Sequence, residues 1–353
     1  MDKYLESFTS TTFYQNVLSN LLVVVIIALL VVGLARAGRQ PIWAEAYRRI
    51  RRSKLALVAL GIIGLYGLIA VADSIGWREN SNATRKTLID RAFETRYKEG
   101  RERYYSAPFG RETFGEAQPR PLRYPGAHPL GTDGTGEDVL YLTMKGARTA
   151  FIVGGLTQIL ITPVALLAGM AAGYFGKRTD DIIQYIYGVL SSIPNILLLI
   201  ALLLVLGRGL LSLCFALGVT SWVGLCRLIR GETLKHRDRE YVRAARALGV
   251  SNTRILTRHI LPNLLPLVII QITLGVSGLI LSETILSYLG IGIPPGTGSW
   301  GNMLDAARNE LAREPIVWWN VTAAGTTVFI LVLAFNLLGD ALRDAVDPRL
   351  RSS

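Results

Sequence analysis

Long apolar runs separated by short charged gaps set the pattern of this chain. The runs cover residues 17–35, 55–72, 149–173, 182–206, 210–226, 264–290 and 317–338. A helix needs about 20 apolar residues to cross a hydrocarbon core about 30 Å thick, and only 210–226 sits at the short limit. Lipid offers no hydrogen-bond partner to backbone amides, so each run is predicted to be helical. A soluble core hides one or two such helices, whereas seven predict an all-α polytopic membrane protein. Residues 17–35 follow Asp2 and Glu6 and lack a basic leading region, so they read as a first span rather than a cleaved leader. Whether this run joins the core bundle or is a separate anchor stays open.

Composition supports that reading. Half of the 353 residues are hydrophobic, and charged residues make up only 18%. The formal net charge of +12 raises the question of nucleic acid, but Lys and Arg sit in the gaps between apolar runs instead of on one basic face. Their distribution orients the chain. Arg36, Arg39, Arg48, Arg49, Arg51, Arg52 and Lys54 face Glu45 alone, and Lys177, Arg178, the basic loop 230–263 and Arg343, Arg349 and Arg351 fall on the same side. The alternate loops hold little more than Lys3, Arg208, Arg308 and Arg313. The positive-inside rule predicts a cytoplasmic carboxyl terminus and an external amino terminus. The long stretch 73–148 falls outside on this count, with a solvent-exposed helix over 93–105 and Pro-rich and Gly-rich turns over 106–136.

Cys214 and Cys226 are twelve residues apart in or beside one apolar run, about 18 Å along a helix axis and too far for a disulfide. His128, His236 and His259 show no metal-ligand spacing. Gly176-Lys177-Arg178 lacks the glycine run and hydroxyl of a phosphate-binding loop. No catalytic, cofactor or metal residue is expected.

The loop 230–263 carries the most specific pattern. Val242, Ala245 and Leu248 recur at helical spacing with Tyr241 beside them, which predicts a short helix with a small apolar face between charged flanks. Gly249 is placed to end it, Ser251 to cap the next helix, and Pro262 and Pro266 to break or kink the chain beyond. Two readings fit these residues: a connector docked on a partner protein, or an amphipathic helix on anionic lipid.

A resemblance bears on that choice. Residues 222–231, 240–251 and 258–263, with Leu286-Ser287-Tyr288-Leu289-Gly290-Ile291-Gly292-Ile293-Pro294-Pro295, Ser299-Trp300-Gly301-Asn302 and Ala334-Phe335-Asn336-Leu337-Leu338-Gly339-Asp340, resemble the permeases of binding-protein-dependent ABC importers. The likeness is to the dipeptide, oligopeptide and nickel branch. It implies a type I permease fold with six core spans, to which residues 17–35 add one extra helix. It implies a coupling loop to the ATPase at Glu240, Tyr241, Arg243, Ala244, Ala245, Arg246 and Gly249. The implied partners are a second homologous permease, two ATP-binding subunits holding ATP and Mg, and an external substrate-binding protein. The implied cargo is a small peptide, with nickel or peptide-like compounds as the alternative and a non-transporting scaffold as another class. Two departures stand out: Arg243 occupies the place of the family's usual acid, and Gly136-Glu137-Asp138 replaces its usual Gly-Arg-Asp.

Polar residues within the runs are candidates for the path, because lipid penalises them. Glu283 either contacts substrate at an outer gate or is a buried structural hydrogen-bonding group. Ser191 and Asn195 flank a break at Pro194. The expected organisation is 1–54 as accessory helix and basic linker, 55–148 as first core span and external loop, 149–342 as permease domain, and 343–353 as tail.

Overall fold

The computed structural model describes residues 16–18, 20–21, 23–25, 48–78, 85–97 and 100–346. Most of the accessory run 17–35, the linker 36–47 and the tail 347–353 therefore lie outside the described residues. In chain order the elements are α1 (Lys54–Ser74), β1 (Gly76–Trp77), β2 (Lys86–Thr87), α2 (Leu88–Arg96), α3 (Val139–Phe175), α4 (Lys177–Ser192) and α5 (Asn195–Leu206). They continue with α6 (Leu210–Arg237), α7 (Glu240–Ala247), α8 (Asn252–Arg254), a π-helical turn (Ile255–Ile260), α9 (Leu261–Tyr288), α10 (Trp300–Glu310) and α11 (Trp319–Val346).

Five helical stretches among the described residues are long and apolar enough to cross a membrane: α1, α3, α6, the run Asn252–Tyr288, and α11 through Ala345. The run 182–206 is not one straight helix, because α4 and α5 meet at 87°. Pro194 causes the break: its ring disfavours helical geometry at the preceding residue, and Ile193 is extended at φ −95°, ψ 130°. This is the all-α polytopic membrane fold that the seven apolar runs predict, and with the bent pair counted as one the described residues hold up to six spans, the number of core spans that the resemblance implies.

Two compact units divide the chain, Met1–Phe151 with Pro295–Leu331, and Ile152–Pro294 with Val332–Ser353. In the first, Ser53 Oγ accepts from Ala56 N to start α1, and the β1–β2 hairpin pairs Gly76 with Thr87 and Trp77 with Lys86. Thr87 and Asp90 then form a reciprocal capping box that starts α2. That box explains why the helix lies at 88–96 and not at the expected 93–105: charge alternation gives no start signal, whereas a Thr-x-x-Asp cap does. Beyond it the chain runs as turns and isolated bridges, Glu112 opposite Pro121 and Thr132 opposite Asp138, as the prolines and glycines predict.

A charged network anchors α2 to the helices beside it. Buried Asp73 accepts from Thr87 Oγ1 and Lys145 Nζ, each at 2.7 Å, and Lys145 Nζ also donates to Asp90 Oδ1 at 2.9 Å. Tyr141 Oη donates to the same Asp90 oxygen at 2.7 Å. Removing Lys145 takes the nearest cation from buried Asp73 and from Asp90 together, and breaking a buried ion pair costs about 3–5 kcal/mol. Trp300 is fully buried against Gly146, with its indole N–H donating to Thr143 O at 2.9 Å.

In the second unit, α3 and α6 pack through a seam of small residues. A Cβ at Gly169 would sit 2.7 Å from Cys226 O and 2.8 Å from Ile229 Cβ. At Gly173 it would sit 2.7 Å from both Arg230 O and Thr233 Cβ. The two glycines four apart let the backbones approach, as small-residue motifs do between membrane helices. Arg230 and Asp180 lock the same region with a two-pronged ion pair at 2.5 and 2.6 Å, tying α6 to α4. Cys214 and Cys226 are buried free thiols.

Candidate coupling site

The segment 238–260 folds as a short helix, a tight turn and a wider helical turn leading into α9. Lys235, His236 and Arg237 occupy the last turn of α6, where cations oppose the negative helix end. Asp238 and Arg239 turn the chain, and Glu240 and Arg246 sit at the favourable ends of α7. The end of α7 is a Schellman motif: Gly249 N donates to Arg246 O and Val250 N to Ala245 O, each at 3.0 Å. Gly249 has φ +76°, a conformation that costs a residue with a side chain about 1–2 kcal/mol.

Val242 and Ala245 are buried, joining Met170, Tyr174, Ile229, Ile255, Ile260, Leu264 and Val268 in one cluster. Burying Val242 contributes about 1.5–3 kcal/mol, which presses α7 against the ends of α3, α6 and α9. Polar contacts reinforce this seat. Tyr174 Oη donates to Asn252 Oδ1 at 2.8 Å, the Arg246 guanidinium lies 5.4 Å over the Tyr174 ring, and Arg237 Nη1 donates to Gly173 O at 3.3 Å. His236 Nδ1 lies 2.7 Å from Tyr241 Oη, and Arg243 Nε donates to Asp238 O at 3.0 Å.

The structure thus divides the expected residues between two faces. Ala245 faces the chain's own core, while Tyr241, Arg243, Ala244, Arg246 and Gly249 are exposed, as is Glu240 at the start of α7. Periodicity places Leu248 on the apolar face with Val242 and Ala245; it is instead 84% exposed, because α7 ends at Ala247 and the cap turns Leu248 outward. Ser251 stands at the N-cap of α8 but makes no side-chain cap bond. Pro262 and Pro266 do not break the chain. Pro262 lies at the start of α9, and the π turn before it shifts the ladder so that Leu261 N donates to Leu256 O, five residues back. The wider turn gives the proline ring room that an α-turn denies it.

The other candidates lie apart from this site. Glu283 is buried, accepting from Ser287 Oγ at 2.8 Å, and Ser287 Oγ in turn accepts from Ile293 N at 3.2 Å. This ties the turn after α9 back to the last turn of that helix. Ser191 accepts from Arg227 Nη2 at 2.8 Å, Arg227 lies 4.8 Å over the Tyr187 ring, and Asn195 is exposed at the start of α5.

A second polar centre lies in the lobe between α1 and α3, at the Gly136-Glu137-Asp138 stretch, where the sequence alone indicates no pairing with His128 or Tyr97. Asp138 accepts from Leu140 N at 2.8 Å to start α3, lies 2.8 Å from His128 Nδ1, and accepts from Tyr97 Oη at 2.6 Å. Burial raises the Asp138 carboxyl, but the hydrogen bonds from His128 and Tyr97 outweigh it and hold the group below its usual range. The departure noted at Gly136-Glu137-Asp138 therefore keeps its aspartate in a structural role, and Glu137 pairs with Arg101 at 2.8 Å. No group of metal-ligating side chains occurs among the described residues.

Five long apolar helices and one bent pair among the described residues, with a glycine seam between α3 and α6, make a polytopic helical membrane protein. Residues 165–352 match the family described as "Binding-protein-dependent transport system inner membrane component", and the chain belongs to that family. It is 32% identical over 310 residues to the oligopeptide transport system permease protein OppC of Bacillus subtilis, covering 88% of this chain and 90% of that protein. It is 38% identical over 224 residues to the dipeptide transport system permease protein DppC of the same organism, covering 64% and 69%. The di/tripeptide transport system permease protein DppC of Pseudomonas aeruginosa is 36% identical over 225 residues, covering 64% and 73%. The chain is therefore an ABC importer permease of the peptide branch, a transporter component and not an enzyme.

Proposed function

We propose that this chain forms half of the path of an importer for short peptides and couples it to a separate ATPase through α7. The reading rests on one arrangement: a helix seated on its own core by Val242 and Ala245, with Ala244 and Leu248 facing outward. A rigid seat transmits a push into α6 and α9, and an exposed small residue beside an exposed leucine suits a groove in a partner. Lipid is the competing occupant, yet Leu248 is the sole large aliphatic residue on the outward side of α7, too little for a membrane-lying face.

The partners are a second homologous permease, two ATP-binding subunits that hold ATP and Mg, and an external binding protein. The positive-inside rule supports a cytoplasmic α7 and carboxyl terminus and an external lobe between α1 and α3. The relatives named for peptides favour peptide cargo over nickel. Ser191 and Asn195 at the bend between α4 and α5 line the path, and Glu283 stiffens the outer turn.

The test is ATP-driven uptake of labelled dipeptides by proteoliposomes holding the complete transporter. Replacing Gly249 with Val keeps insertion and assembly but lowers uptake per ATP hydrolysed. Wild-type uptake by that variant, or uptake of nickel and not of peptides, contradicts the reading.

A further inference from the structure

A cavity of about 540 Å³ opens in the lobe between α1 and α3, within the size range of small-molecule sites. Phe93 and Tyr97 supply aromatic surface to its lining. Two ion pairs stand among the lining residues, Lys86 with Glu94 at 2.9 Å and Arg101 with Glu137 at 2.8 Å. Both include well-exposed members, and Arg101 is 63% exposed at its side chain. Exposed pairs contribute little, so a ligand bearing both charges exchanges with them at small cost.

Two further lining side chains leave a buried nitrogen without a hydrogen-bond partner: Arg85 Nε, a donor, and His128 Nε2. The His128 side chain is only 3% exposed, its Nδ1 is engaged by Asp138, and Nε2 stands 3.5 Å from Glu102 Oε1, outside hydrogen-bond geometry. His128 thus stands between two buried carboxylates, and the Arg85 Nε donor is the buried lining atom that a ligand's acceptor would complete, since buried polar atoms are nearly always satisfied. Charges of both signs on the lining, together with the rings of Phe93, Tyr97 and Tyr141, match a molecule carrying an ammonium, a carboxylate and an apolar side chain.

We propose that this cavity binds short zwitterionic peptides, holding the carboxylate at Arg101 and Lys86 and the ammonium at Glu94 and Glu137. The cavity lies in the lobe, and the inference rests on the peptide reading above. It makes the lobe a staging point for cargo.

The full chain in lipid nanodiscs, without the binding protein, is titrated calorimetrically with Ala-Phe, N-acetyl-Ala-Phe and Ala-Phe amide. Ala-Phe binds saturably, and each blocked form binds at least tenfold more weakly. Arg101→Gln weakens Ala-Phe about tenfold and leaves the amide unchanged, and Glu137→Gln does the converse with the acetylated form. Because Arg101 is exposed, its variant folds even where Glu137→Gln does not, and a thermal melt verifies this. Absence of saturable binding, equal affinity for the three peptides, or unchanged Ala-Phe affinity in Arg101→Gln overturns the inference. ATP-driven uptake with the binding protein, run alongside, separates the two levels. Uptake without cavity binding overturns only this inference, and no uptake of any peptide overturns the reading beneath it.

Discussion

Replacing Gly173 with Ala tests the packing that holds the coupling region together. The new Cβ would lie 2.7 Å from Arg230 O and 2.7 Å from Thr233 Cβ. An ordinary carbon–carbon contact is about 3.5–4.0 Å, so α3 and α6 must separate by roughly 1 Å along that seam. Both near neighbours belong to the backbone or to a β-branched side chain, neither of which can swing away. Overpacking of this kind costs about 1–3 kcal/mol. Ala also gains about 1 kcal/mol over Gly from helix propensity, so an absolute loss would understate the clash. Gly231→Ala supplies the comparison, since its added Cβ meets nothing within 4 Å and collects the propensity gain alone. The difference between the variants is therefore the clash itself, about 1–3 kcal/mol. At about 1–2 °C per kcal/mol for a chain of this length, Gly173→Ala melts about 1–6 °C below Gly231→Ala in a thermal scan of the purified protein in nanodiscs. Equal or higher stability of Gly173→Ala would refute the close-packed seam.

Other perturbations read separate parts of the structure. Asp180→Asn removes the charge that holds Arg230 and costs about 1.5–3 kcal/mol, visible as a lower melting temperature; an unchanged melt contradicts the lock between α4 and α6. Glu310 is buried with Oε2 unpartnered beside Asn320, whose Oδ1 is also unpartnered, and burial raises its carboxyl above the usual range. Such an acid is tolerated while protonated and penalised as pH rises through its ordinary value, so Glu310→Gln stabilises the protein at pH 7 by about 1 kcal/mol and has no such effect at about pH 4. Asp138 behaves oppositely. Its depressed value means its contribution is whole above the ordinary 3.8 and is lost as pH falls through the lower folded value. Acid unfolding of the lobe, followed by hydrogen exchange at 100–138, is therefore steeper in the wild type than in Asp138→Asn.

How much of this is legible in the sequence varies with the physics of each element. Apolar runs of spanning length announce themselves, because lipid forces helix on them, and α1, α3, α6, α9 and α11 lie where the runs do. The bend at Pro194 is legible from one residue, since a proline constrains its predecessor wherever it falls. Gly249 is legible for the same reason: a positive φ after a short amphipathic stretch is a local requirement. What requires the structure are relations between distant segments. Gly169 and Gly173 stand four apart in plain view, yet only the closeness of Cys226 and Arg230 shows which helix they admit. Asp180 and Arg230 are fifty residues apart, and Asp138 and His128 acquire meaning only when the lobe folds them together. The outward turn of Leu248 escapes the pattern because helical periodicity assumes that the helix continues, and here the cap ends it one residue earlier.

The coupling claim is tested most directly by Ala244→Cys in the assembled transporter, where the native Cys214 and Cys226 are buried. A short bifunctional thiol reagent should join the introduced thiol to the ATP-hydrolysing subunit, with a yield that changes between the nucleotide-free and ATP-bound states. Modification of that thiol only from the external side, or no crosslink to that subunit in any state while the complex stays assembled, would contradict the account.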